Sequence, residues 1–188
     1  MTDIMRPGQG LLFMKVGVHA QETLEDIIQR KQQEYDQTGM IFWGYGGNTC
    51  HPTKHVQPYA REVLSHGNDV VLVMQKIASH HFAEPVRAQQ YSDDGFTWKN
   101  VPEGINALGS RYALVLEQLE LNEFELDLEQ LRVAVGPSRG ANAARYIQGR
   151  VDKGCFTFDP ALIDPLRSTK RAISLYAKLK APYAVHLR

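Results

Sequence analysis

Cysteine is scarce in this sequence, whose 188 residues include only Cys50 and Cys155. Two cysteines are too few for the disulfide-held scaffold of a small secreted domain, so we expect reduced thiols and a cytoplasmic protein. Long apolar runs are lacking as well. The longest, Val70 to Met74, is far short of the roughly 20 residues of a membrane-spanning helix. The first residues show no apolar run after a basic cluster, and we expect no signal peptide.

Net charge is also absent, because 21 Lys and Arg balance 21 Asp and Glu. A protein that neutralises many phosphates of a nucleic-acid duplex usually carries a basic excess. A nucleotide-like small molecule requires fewer positive charges on the protein than a duplex does, and it is the first partner that we predict. A single nucleic-acid strand, bound by a local basic patch, is the second. Hydrophobic residues make up 43% of the chain and charged residues 22%. These values are typical of a globular protein, and we expect a single domain over residues 1–188.

The apolar patterns of residues 1–158 predict a mixed α/β (α+β) body. Leu11 to Val18 is a mostly apolar segment with the length of a buried strand. Thr23 and Asp26 form a capping-box pattern at the start of a helix, and Gly39 is placed to end it. Further strands are predicted at residues 40–43 and 69–76, with a helix from about Lys54 to Ser65 between them.

The second half of this body is predicted to be mainly antiparallel. Ser92-Asp93-Asp94-Gly95 is a hairpin-turn signal between two alternating segments. In the C-terminal residues 159–188, the apolar side chains Ala172, Leu175, Tyr176 and Leu179 follow helical spacing. We therefore expect a mixed, mainly antiparallel sheet with packed helices and a helical C-terminal segment.

The glycine-rich segment that follows the strand 40–43 is the first candidate binding loop. Glycines allow backbone conformations closed to other residues and let N–H groups approach a ligand closely. The helix that follows directs free N–H groups toward an anion. The segment matches neither the P-loop nor the Gly-x-Gly-x-x-Gly pattern, and a tight packed turn is the equal alternative. The candidate ligand-binding residues here are Trp43, Tyr45, Gly46, Gly47, Asn48, Thr49 and Lys54.

A second loop, Gly136 to Gly140, has the same predicted strand–loop–helix setting. Ser138 offers a hydroxyl group, and the guanidinium of Arg139 can bind a phosphate with two hydrogen bonds. In the first loop, Trp43 or Tyr45 could stack on a base. The two loops together indicate a ligand with separated phosphates, provided that they face one pocket.

Cys50 and His51 are the candidate catalytic residues. A cysteine before a helix has a lowered thiol pKa, and His51, His55 or the distant His81 could serve as its base. The histidine spacing can also bind zinc, but there is no Cys-x-x-Cys or His-Glu-x-x-His motif. We predict no metal and no cofactor.

The order Trp43-Gly44, then Val56 to Tyr59, then Gly67 to Leu72 resembles the layout of modified-base-reading domains of the EVE and PUA-like kind. The resemblance covers a minority of the chain, and the spacing and the C-terminal part depart from it. It implies a base-reading role, and no functional residue is carried over from it.

Three functional hypotheses remain open at this point. The first is a binding domain for a nucleotide-like phosphorylated ligand, held by the two loops. The second is a hydrolase or transferase that uses Cys50 or a histidine on a nucleotide or other phosphorylated substrate. The third is an interaction protein, such as a homodimer built on exposed strand edges, which predicts no thermal shift with any nucleotide.

Overall fold

The computed structural model describes residues 5–18, 22–46, 49–78, 86–148, 151–159, 161 and 166–188. The strands of this described part are β1 (Gly10–Val18), β2 (Ile41–Tyr45), β3 (Val70–Ala78), β4 (Gln90–Ser92), β5 (Lys99–Asn100), β6 (Tyr112–Asp127), β7 (Leu131–Val133), β8 (Lys153–Phe158) and β9 (Lys170–Leu187). The helices are α1 (Leu24–Thr38), α2 (Gln57–Ser65) and α3 (Ala143–Tyr146). A π-helical turn (Pro52–Val56) leads into α2, and a 3-10 turn (Leu128–Gln130) precedes β7.

The described strands form one nine-stranded sheet in the order β2-β6-β9-β3-β1-β8-β7, with β4 joined to β9 and β5 joined to β4. Strands β1 and β3 run parallel, and the other pairs in the sheet are antiparallel. This confirms the mixed α/β fold with a mainly antiparallel sheet. Among the described residues, no helix is long and apolar enough to cross a membrane.

Strand β1 shows how the sheet divides the core between its two faces. Leu12 and Met14 point into a cluster that includes residues of α1 and α2, whereas Leu11 and Phe13 point into a cluster with α3 and β7. Successive side chains of a strand point to opposite faces, so a continuous apolar run is what a strand buried on both faces requires. A third cluster packs β2, β6 and β9 against residues 88–107.

Helix α1 begins and ends where its sequence predicts. Thr23 accepts a hydrogen bond from the Asp26 backbone, and the Asp26 carboxylate accepts one from the Thr23 backbone. Gly39 closes the helix with φ of 73°, a left-handed conformation that favours glycine. The predicted hairpin turn is present too, because the Asp94 carboxylate accepts bonds from Ser92 and from the backbone of residues 96 and 97.

The predicted helical C-terminus is wrong, because residues 170–187 form β9, the longest strand described. Alternate side chains along it are buried, namely Ile173, Leu175, Ala177 and Leu179. The spacing that suggested a helix belongs to a period-two pattern with Ala172 and Tyr176 on the other face. Pairing with β6, β3 and β4 supplies this segment with its backbone hydrogen bonds.

Candidate functional site

The first glycine loop follows β2, the outermost strand on one side of the sheet. Gly44 and Gly46 are exposed, and Thr49 is half-buried. A Cβ added at Gly44 would lie 2.7 Å from Ser110 Oγ, so a close approach requires glycine there. Gly47 and Asn48, two of the predicted ligand-binding residues, lie outside the described residues.

The aromatic residues of this loop are in the core. Trp43 is 7% exposed and Tyr45 is fully buried. The Tyr45 hydroxyl donates a hydrogen bond to the Cys50 carbonyl at 2.6 Å, and burial raises the pKa of Tyr45 well above its ordinary value. Neither ring has a face open to a base in this structure, and we assign stacking to neither of them.

The helical turn that follows this loop and leads into α2 is capped by the side chain of His51. His51 Nδ1 accepts a hydrogen bond from the Lys54 backbone N–H at 3.3 Å. Pro52 stands at the first helical position, where a missing N–H costs least. The imidazole thus occupies part of the place that a bound anion would take, and Lys54 remains as an exposed positive charge beside it.

The second loop also satisfies much of its own backbone. Arg139 N donates to Gly136 O, Gly140 N to Val133 O, and Ala141 N to Ser138 O. Helix α3 has only four residues and is capped by the Asn142 side chain, so it provides no long helix dipole. The group that this loop presents to solvent is the Arg139 guanidinium, with Nη2 at 3.5 Å from Glu62 Oε1 on α2.

Arg139 borders a cavity of about 370 Å³ between α2, the second loop and β8, which we call the α2 cavity. Its apolar wall comes from Val63, Val133 and Ala134. Polar and charged groups converge on it from several elements, namely Glu62, His66, Asn68, Arg139 and Thr157. An apolar wall with a few convergent polar groups is the usual composition of a small-molecule site.

The two predicted loops lie along one helix, but they do not line one cavity in the described residues. The first loop leads into the turn before α2, and Arg139 of the second loop contacts Glu62 near the other end of α2. Lys54 and Glu62 are eight residues apart, about 12 Å along a helix axis. The α2 cavity is lined by Arg139 and Gly140 and by no described residue of the first loop.

The candidate catalytic residues have separate partners. The Cys50 thiol lies 3.3 Å from the Cys155 thiol on β8, whereas His51 Nε2 lies 3.1 Å from the Tyr112 hydroxyl. In the part of the chain that is described, the hydrogen-bonding partner of the Cys50 thiol is therefore another free thiol and not an imidazole base. His81 lies outside the described residues.

Sequence reasoning missed several residues of these sites. The Tyr112 ring contacts both the His51 ring, edge to face, and the His186 ring, at a tilt of 52°, with ring centroids 4.9 and 5.2 Å apart. Tyr112 and His186 are register partners of β6 and β9, a pairing that the predicted helical segment 159–188 does not allow. Glu62, His66 and Asn68 of the α2 cavity carry no motif that could have identified them.

No group of three or more His, Cys, Asp or Glu residues in the described ranges is arranged to hold a metal ion. No family model matches the chain, and comparisons with curated proteins and with solved structures find no match.

Proposed function

We propose that this chain is a binding domain for a small nucleotide-like phosphorylated ligand, and that the ligand occupies the α2 cavity. The observation that carries the proposal is the cavity itself, about 370 Å³ in volume and lined by Arg139 beside apolar and polar groups. Sites for small molecules have volumes of about 300–1,000 Å³. A mononucleotide or one half of a dinucleotide is of that size.

Arg139 is the group that we assign to the phosphate. Its side chain is 69% exposed, and its ion pair with the half-exposed Glu62 is a single contact of 3.5 Å. Exposed ion pairs of this kind contribute about 0–1 kcal/mol, so the guanidinium is available at little cost. A phosphate would accept two parallel hydrogen bonds from it.

The rest of the cavity suits the other parts of a nucleotide. Val63, Val133 and Ala134 offer an apolar wall for a ring, and Asn68 offers an amide that can donate and accept. Glu62, released from Arg139, can accept hydrogen bonds from ribose hydroxyl or base amino groups. Lys54 lies about 12 Å away along the helix, a distance at which it could contact a second phosphate of an extended ligand.

A thermal-shift titration with mononucleotides, dinucleotides and pyrophosphate tests this proposal. Ligand at about 100 times its Kd stabilises a protein by about 2.7 kcal/mol, which is about 5–10 °C in Tm for a chain of this length. We expect such a shift for the wild type and for Arg61→Gln, which removes the same charge from an exposed position on α2 outside the α2 cavity.

For Arg139→Gln we expect binding that is about 10- to 100-fold weaker, because a charge-assisted hydrogen-bonded contact is lost. Two results would overturn the proposal: no shift of the wild type with any of these ligands, or equal affinity in Arg139→Gln and Arg61→Gln. A shift with dinucleotides that Lys54→Gln reduces would assign the second phosphate to Lys54.

A further inference from the structure

The two cysteines, 105 residues apart in sequence, lie against each other in the fold. Cys50 Sγ and Cys155 Sγ are 3.3 Å apart inside the core cluster that contains Tyr45. Cys155 is fixed on β8 opposite Leu12 of β1. Cys50 ends the first glycine loop with φ of 53°, a left-handed conformation that is uncommon for a residue with a side chain. The fold thus holds a loop sulfur against a sulfur of the sheet.

The two thiols differ in access and in acidity. Cys50 is 7% exposed, whereas Cys155 is fully buried. The hydrogen bond from Cys155 lowers the pKa of the Cys50 thiol in spite of its burial, and the buried ammonium of Lys153 acts in the same direction. Burial raises the pKa of Cys155. Cys50 is therefore the sulfur that is ionised and reached first, and Cys155 is the sulfur placed to react with it.

We propose that Cys50 and Cys155 form a peroxide-reactive dithiol site that closes reversibly to a disulfide. This site is separate from the α2 cavity and does not depend on the nucleotide proposal. Only 7% of the Cys50 residue is exposed, so a reactant as small as hydrogen peroxide can reach the thiol more readily than a bulky disulfide such as oxidised glutathione.

The chemistry balances in two steps. The Cys50 thiol first ionises, and its thiolate attacks one peroxide oxygen. The O–O bond breaks, and the leaving hydroxide combines with the proton that the thiol released to give water, which leaves Cys50 as a sulfenic acid. The Cys155 sulfur then attacks the Cys50 sulfur. The S–O bond breaks, and the second hydroxide leaves as water with the Cys155 proton. Two thiols are oxidised to one disulfide while one peroxide is reduced to two waters.

The test is mass mapping of the whole protein after a brief treatment with dilute hydrogen peroxide, followed by denaturation in N-ethylmaleimide. In the wild type we expect both cysteines to lose their alkylation and a peptide pair linking Cys50 to Cys155 to form. Dithiothreitol should restore both alkylated thiols. In Cys155→Ser, dimedone should label Cys50, because the sulfenic acid has no partner. In Cys50→Ser, Cys155 should remain fully alkylatable.

The last variant separates the proposal from general oxidation, because it leaves the buried thiol in place. The proposal is overturned if both wild-type thiols survive the treatment, or if Cys50 proceeds to sulfinic acid while Cys155 stays free. It is also overturned if Cys155 is oxidised in Cys50→Ser as fast as in the wild type. The linked peptide is measured in the wild-type protein, so the proposal can be refuted even if a variant is unstable.

Discussion

The buried ion pair of helix α1 gives the sharpest test of how this fold is held together. Lys31 is 5% exposed and Glu34 is 2% exposed. Lys31 Nζ donates to both Glu34 carboxylate oxygens at 2.8 Å and to the Phe42 carbonyl at 2.7 Å. Glu34 also accepts from the Asn106 backbone N–H at 3.1 Å. The pair therefore joins α1 to strand β2 and to the segment before β6.

Lys31→Met keeps the aliphatic stem but removes the cation that bonds both Glu34 oxygens, and the ion pair that the buried carboxylate then keeps is the one with Arg30 Nη1 at 4.0 Å. Removing one partner of a buried pair costs about 3–5 kcal/mol, and we expect that loss in the free energy of unfolding. Glu34→Gln should cost a similar amount, because the Lys31 ammonium is then unpaired. The double variant should lose clearly less than the sum of the two, since no uncompensated charge remains.

Urea unfolding followed by circular dichroism measures these differences, with a constant m-value as the control for an unchanged native state. Two outcomes would refute the reasoning. One is a loss below about 1 kcal/mol in each single variant, which is the range of an exposed pair. The other is additivity of the two losses within about 0.5 kcal/mol, which would mean that the two groups do not interact.

The pair also predicts a pH dependence. Burial lowers the pKa of Lys31 below its ordinary 10.5, and Glu34 opposes that effect only in part. Between the lowered value and 10.5 the unfolded chain binds more protons, so the contribution of Lys31 to stability rises with pH through that window. Lys31→Met should lack this rise, and a rise equal to that of the wild type would contradict the assignment.

Three further predictions concern other contacts. Tyr59 donates to the Phe156 carbonyl and accepts from the Leu11 N–H, so Tyr59→Phe should cost about 2–4 kcal/mol in urea unfolding; a loss below about 1 kcal/mol would contradict this. Gly10→Ala places a Cβ at 2.7 Å from Tyr59 Oη and should cost about 1–3 kcal/mol, whereas an unchanged midpoint would show that the contact relaxes freely. Hydrogen bonds within the turn hold the pKa of Asp94 well below 3.8, so the wild type should lose stability as the pH falls below 3.8. Asp94→Asn should lose less stability over the same pH range, and an equal loss would contradict this account of the turn.

Local signals in the sequence predicted the local parts of the fold. The capping residues of α1 are contiguous with the helix that they bound, and the Asp94-Gly95 turn depends on hydrogen bonds within four residues. Such features are fixed by neighbouring residues and need no knowledge of the sheet. This is why α1, β1 and β3 were predicted correctly, and why the hairpin was located correctly although its strands are shorter and its turn is longer than predicted.

Features that depend on distant residues were not predicted. The apolar spacing of residues 172–179 fits one face of a helix and one face of a strand, and only pairing with β6 and β3 decides between them. The contact between Cys50 and Cys155 and that between Arg139 and Glu62 likewise join positions that no motif connects. For the binding site, the sequence singled out Arg139 but not the helix residues around it.

The place of β9 in the sheet has a consequence for the synthesis of this protein. Val71 of β3 pairs with Lys178 of β9, about 100 residues later in the chain. A ribosome that adds about 5–20 residues per second would expose β3 for about 5–20 s before its partner strand exists. During that interval the apolar run Val70 to Met74 has an open edge, the kind of segment to which holding chaperones bind. The yield of folded protein should therefore depend on translation speed between residues 78 and 170 more than on speed elsewhere.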